Sequence, residues 1–231
     1  MEAGEAAITA SRDTLLANIR RSLGVTGAES TRREEVADRL KAHPRGVIPA
    51  RGQVEPAARL ALFRTMVEAA SGTSEVVSAS AVPSAITAFL RAQNLPMRLR
   101  RGADPRLAAL PWDQERTLEI DVGPSDGNQL AAVSHAFGAI AESGTLMLTS
   151  GPDNPTTLNF LPDTHIVVVD AADVAGDYET LWTRLRSQYG EGAMPRTVNL
   201  ITGPSRSADI EQTLILGAHG PRRLHVVIVS Q

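Results

Sequence analysis

Three short stretches set reactive side chains beside turn-forming residues. The first is Ala141-Glu142-Ser143-Gly144-Thr145, opening onto the apolar run Leu146-Met147-Leu148. A carboxylate beside a glycine turn, tied to a buried strand, is rigidly held, and Gly144 lets a ligand approach the backbone. Glu142 can then serve as nucleophile, general base or acceptor, or simply as a solvated turn residue. The second is Gly203-Pro204-Ser205-Arg206-Ser207-Ala208-Asp209-Ile210-Glu211, directly after an apolar run ending at Thr202. Ser205, Arg206 and Ser207 offer hydroxyls and a guanidinium fork, which suits a phosphate or carboxylate. Asp209 and Glu211 can position Arg206 or cap the next segment of chain, and an internal Arg–Asp ion pair in a structural turn fits the same residues. The third is Gly217-Ala218-His219-Gly220-Pro221. There His219 is either a ligand and acid/base group or plain surface.

Other chemistries drop out. No Gly-x-Ser-x-Gly elbow, Gly-x-Gly-x-x-Gly fingerprint or phosphate-binding Gly-Lys loop is present. His219 and His225 match no zinc spacing, and no protein-bound metal is expected. His165 opens an apolar run and reads as a hydrogen-bonded core histidine, while His135 stands isolated. With no cysteine, this chain cannot hold an iron–sulfur cluster through thiolates or form a disulfide. Any redox centre must sit on a partner or be a bound small molecule, so no cofactor is bound through cysteine. Of 23 basic residues only Lys41 is lysine, and its polar Pro/Gly setting does not suit Schiff-base chemistry. A net charge of −3 and 3% aromatic residues give no footprint for nucleic acid. No apolar run approaches the roughly 20 residues needed to span a bilayer. The N-terminus lacks the pattern of a secretory signal, so a cytoplasmic location is expected.

The elements that must position these loops are predicted by periodicity. Leu15, Leu16, Ile19 and Leu23 share a helical face. They predict a helix over 11–23, capped by Ser11 and ended by Gly24. Residues 24–54 read as a Gly/Pro/Arg-rich arm with one short helical turn at the capping-box pattern Thr31-Arg32-Arg33-Glu34. The regular region begins near residue 55. Helices are expected over 56–70, 83–93 and 178–189. Strands are expected at 75–77, 97–100, 117–122, 130–133, 145–149, 165–170, 197–202 and 224–229. The organisation is thus a helical N-terminal arm and linker (1–54) and an α/β domain (55–231). The domain should carry a mostly parallel sheet flanked by helices, with ligand-binding loops beyond the strand ends.

The stretches FGAIAESGTLMLTSG, NPTTLNFLPDTHIVVV, GPSRSADIEQTLILGAHGP and RRLHVVIV occur here in that order. Together they resemble the LUD domain of the lactate-utilisation C proteins, from about Phe137 to the C-terminus and more faintly back to about residue 60. Ser143 and Ser207 stand where that family commonly has threonine, and both keep the hydroxyl. The resemblance implies a fold of the sugar-isomerase and CoA-transferase-like superfamily (NagB/RpiA/CoA-transferase-like). It implies a role in oxidising L-lactate to pyruvate beside two iron–sulfur partners, the A- and B-type proteins of that system. Its motif positions are Glu142, Ser143, Gly144, Thr145, Gly203, Pro204, Ser205, Arg206, Asp209 and Glu211, with Ser207, His219 and Gly220 adjoining them. The expected function is a non-cluster subunit binding a small anionic ligand or cofactor, more a component of an L-lactate dehydrogenase complex than a stand-alone catalyst. Two alternatives stay open. One is a CoA-transferase-like acyl-transfer enzyme using Glu142, whose Glu-x-Gly spacing that chemistry requires. The other is a phosphosugar-binding regulatory module.

Overall fold

The computed structural model describes residues 2–190, 192–207 and 215–230. It falls into two units, 1–46 and 47–231. The first holds α1 (Glu2–Leu23) and α2 (Ser30–Ala42). Helix α1 runs through Ser11 instead of starting there, and Gly24, at φ +64°, comes just after its end. Helix α2 is three turns long, not one, and the expected capping box is not formed. Its N-cap is Glu29, whose carboxylate turns back to accept from the Thr26 and Gly27 amides at 2.7 and 3.0 Å.

The second unit runs, in order, α3 (Pro56–Ala69), β1 (Thr73–Ser78), α4 (Val82–Ala92), β2 (Arg98–Arg101), α5 (Pro105–Ala108), β3 (Glu119–Val122) and β4 (Ala131–His135). Then come β5 (Gly138–Ile140), β6 (Thr145–Thr149), α6 (Thr157–Phe160), β7 (Thr164–Asp170), β8 (Val174–Ala175) and α7 (Tyr178–Tyr189). The chain finishes with β9 (Val198–Thr202), β10 (Arg206–Ser207), β11 (Ile215–Leu216) and β12 (Arg223–Ser230). Six strands form one sheet in the order β1-β12-β7-β4-β2-β3, and every pairing in it is parallel. The expected α/β architecture, a mostly parallel sheet flanked by helices, is the one observed.

Sequence periodicity does not anticipate a second sheet, β8-β5-β6-β9. The runs 145–149 and 197–202, expected as strands of the parallel region, belong to it. Strand β6 pairs antiparallel with both β5 and β9. The two sheets share chain: β4 passes through Ala136-Phe137 into β5, and β7 passes through Ala171–Asp173 into β8. Four layers result. Val82, Ile86 and Leu90 of α4 pack on one face of the large sheet against Val133, Ile166, Val168 and Val227. On the other face, Val167, Val169, Val226 and Ile228 meet Phe63 and Val67 of α3 and Leu146 and Leu148 of β6. Leu181 and Leu185 of α7 close the far side of the small sheet against Ile140 and Met147.

Leu60, Phe63 and Val67 form an apolar stripe on α3 that faces the core, with Phe63 and Val67 fully buried. Pro56 sits in the first turn of α3, where a missing amide costs nothing. Asp177 caps α7, accepting from Thr180 N at 2.8 Å.

Phe63 joins the large sheet, the small sheet and α3, so Phe63→Ala should cost about 3–5 kcal/mol. Urea denaturation monitored by circular dichroism should show a lower midpoint with an unchanged slope. An unchanged midpoint would mean that the layers do not meet at Phe63.

Candidate functional site

The register of the small sheet decides where the two motif loops go. Antiparallel pairing sets Thr145, at the start of β6, opposite Thr202, at the end of β9. The turn at 142–144 and the loop at 203–206 therefore leave the sheet side by side. Both rest on the C-terminal half of α3. A Cβ on Gly144 would lie 2.6 Å from the Met66 and Val67 backbone, and one on Gly203 2.2 Å from the Ala70 carbonyl oxygen. Both glycines also hold positive φ, at +67° and +70°, so no other residue fits either place without strain.

Between the loops lies a connected set of hydroxyls. Thr145 Oγ1 is 2.6 Å from Thr202 Oγ1, 2.7 Å from Ser143 Oγ and 2.8 Å from Tyr178 OH. Thr145 is fully buried. Ser143 and Thr145, predicted as ligand contacts, are thus bound first to each other and to Tyr178.

Glu142 turns away from this set. It is 5% exposed. Its Oε1 accepts from Tyr178 N, at the first turn of α7, at 3.4 Å, where the helix end favours negative charge. Its Oε2 is buried without a partner among the described residues. Gly176 and Gly52 close over this region, each backbone too near the other for a Cβ on either.

Arg206 takes a different position. It is exposed, and one guanidinium nitrogen donates to the Ala70 carbonyl at the end of α3. That fixes the fork at the wall of a cavity of about 290 Å³. Gly203, Pro204, Ser205, Arg206, His219 and Gly220 all line this cavity. Ser205 Oγ accepts from His219 N at 3.3 Å, which holds the 203–207 and 217–221 loops together. Ser207 pairs through its backbone with Ile215. Asp209 and Glu211 lie outside the described residues. Glu142 does not line the cavity. The structure brings the two loops together through Thr145 and Thr202, but it does not place the Glu142 carboxylate and the Arg206 guanidinium in one crevice.

The rest of the cavity comes from residues that sequence reasoning does not assign to a site. Asn159 and Phe160 of α6, Thr202, Pro221 and Leu224 contribute, as does His165. Strand parity places His165 here: it precedes Val167 and Val169 on the face that meets the small sheet, and it pairs with Leu224. The expected core histidine is indeed buried and hydrogen-bonded, 1% exposed with Nε2 3.1 Å from Ser134 Oγ. Burial alone pushes its pKa down to about 3.

A second polar cluster stands at the carboxyl ends of β2 and β4. Asp104 accepts from Arg106 at 2.8 and 3.0 Å and from Asn154 at 3.0 Å. His135 Nδ1 donates to the Ala136 carbonyl at 2.9 Å, leaving Nε2 3.7 Å from Asp170. Burial, then the Arg106 charge, lowers the His135 pKa. No group of three or more potential metal ligands occurs among the described residues, and none of their helices is long and apolar enough to cross a membrane.

The LUD domain model matches residues 99–229, which takes in both motif loops, the cavity and the second cluster. This chain belongs to the LUD domain family. Relatives named lactate utilization protein C include one from Geobacillus thermodenitrificans, 39% identical over 108 residues, covering 46% of this chain and 45% of that protein. Another, from Bacillus subtilis, is 37% identical over 120 residues, covering 52% and 49%. The chain spans about half the length of such curated relatives. A crystal structure of a DUF162 family protein from Deinococcus radiodurans shares the fold, with a TM-score of 0.57 and 22% identity over 76% of this chain and 99% of that one.

Within this LUD domain, Asp104 makes the clearest pH-dependent contribution. Burial would raise its pKa, but Arg106 and Asn154 outweigh burial and hold it at about 2, below the ordinary 3.8. A depressed carboxylate stabilises the fold fully above the unfolded value and loses that effect as pH falls through the folded one. Wild-type stability should therefore drop between about pH 4 and pH 2. Asp104→Asn should be less stable at pH 7 and should flatten this limb. Urea midpoints across that range measure it, and parallel curves for the two proteins would remove Asp104 as the cause.

Proposed function

We propose that this LUD protein is the non-cluster subunit of an iron–sulfur system that oxidises L-lactate to pyruvate, and that it holds a small anionic ligand in the cavity beside Arg206. The cavity carries the reading: six predicted ligand residues, Gly203, Pro204, Ser205, Arg206, His219 and Gly220, line it together. Arg206 has five N–H donors, so its bond to Ala70 leaves others for a carboxylate or phosphate. The lactate-utilisation role is supported by the names of the relatives and by the matched domain. With no cysteine in the chain, thiolate-held clusters would belong to the A- and B-type partners. A cytoplasmic location accords with that partnership.

The burial of Glu142 and its bond to α7 favour a positioning role over acyl transfer from that carboxylate. A phosphosugar would meet the same arginine and hydroxyls, and ligand titration separates it from a small carboxylate.

Deletion of the gene should abolish growth on L-lactate but not on glucose, and the tagged protein from lactate-grown cells should recover cluster-bearing proteins. Normal growth of the deletion strain on lactate would overturn the proposal. In calorimetric titration, Arg206→Lys and Arg206→Ala should each weaken binding of L-lactate at least about tenfold, since an ammonium cannot copy the fork. Wild-type affinity in both variants would place the anion elsewhere.

A further inference from the structure

The protons around His165 can be assigned. Ser134 Oγ donates to Asn159 Oδ1 at 2.9 Å. A hydroxyl has one proton, so towards the imidazole Ser134 can only accept. His165 Nε2, 3.1 Å from that oxygen, therefore carries the ring proton. Burial holds the ring neutral at physiological pH, which leaves a bare lone pair on Nδ1. That atom is buried and has no partner among the described residues, and His165 is one of the residues that line the cavity. An unmet buried acceptor is costly, and an occupant that brings a donor relieves it.

The cavity's other polar side chains are already engaged in part. Thr202 bonds Thr145, Asn159 Oδ1 accepts from Ser134, and Ser205 Oγ accepts from the His219 amide. Among the described residues, the buried side-chain acceptor of the cavity without a protein donor is Nδ1.

We infer that the occupant of this cavity carries a hydroxyl that donates to His165 Nδ1, so that the site selects a hydroxy acid over the oxo acid and the deoxy acid of the same skeleton. This rests on the reading of the cavity as an anion site and adds to it a residue that sets specificity. The physical basis is one-sided. A hydroxyl satisfies Nδ1, a ketone oxygen sets a second lone pair against it, and a methylene leaves it unmet. Sites built to bond a hydroxyl reject analogues that lack it more strongly than apolar pockets reject an added one.

The test is calorimetric titration of the full chain with L-lactate, pyruvate and propanoate. L-lactate should bind at least about tenfold more tightly than either of the others. Equal binding of all three would overturn the role of His165 while leaving the anion site standing. Binding of none would overturn both. Nitrogen-15 spectra of histidine-labelled protein give a readout independent of affinity. His165 should show a protonated Nε2 and a bare Nδ1, and the Nδ1 resonance should move on adding L-lactate but not propanoate. A protonated Nδ1 would overturn the inference. His165→Leu should bind L-lactate and propanoate alike. Should that variant fail to fold, the wild-type titrations and spectra decide.

Discussion

The pairing of β6 with β9 is the constraint on which the site depends. These strands are distant in sequence, yet their register puts Thr145 opposite Thr202. Because the pairing is antiparallel, the start of one strand meets the end of the other. Both glycine-bearing loops are thereby delivered to one edge, where α3 supports them from below. A parallel pairing of the same two runs would send the loops to opposite ends. The hydroxyls of Ser143, Thr145, Tyr178 and Thr202 then tie the edge together at 2.6–3.0 Å. The network is buried at Thr145 and open at Thr202, and its buried members favour one arrangement because leaving them unpaired is costly.

That pairing also explains what is legible in the sequence and what is not. Periodicity places α7 at its observed bounds and β7 and β12 to within a residue, because each buries a full face and so carries a complete pattern. Strands β5 and β8 are three and two residues long, too short to show a period, and they carry the chain from one sheet to the other. Without them the runs 145–149 and 197–202 look like further members of a parallel sheet. Helix α2 exceeds its expected length for a different reason. It buries no residue, so no apolar stripe marks its extent.

The candidate residues divide along the same physical line. Gly203 to Ser205, His219 and Gly220 sit on loops, where composition and turn chemistry are visible in sequence, and they share a cavity with Arg206 at the start of β10. Whether a carboxylate faces that cavity or a helix end is set by side-chain direction across a turn, which no spacing rule reports. Glu142 takes the helix end. His165 presents the converse case. As a buried strand residue it reads as core, and it is core, but it lies at the first residues of its strand, where the sheet ends and the cavity begins. Only the placement of α6, β9 and the loop at 217–221 around it makes that end a wall.

A core histidine and a cavity-lining histidine are therefore not exclusive descriptions. Burial removes the charge from the imidazole and so removes the simplest way of satisfying a lone pair, which is to protonate it. The Ser134–Asn159 pair then fixes which nitrogen keeps the proton. The result is a neutral acceptor of set direction, held on a rigid strand instead of a loop. A guanidinium is planar, with its N–H donors in a fixed fork. On the proposed reading, an arginine for the anionic group and an uncharged, tautomer-locked histidine for a hydroxyl divide recognition between one long-range attraction and one short-range geometric demand.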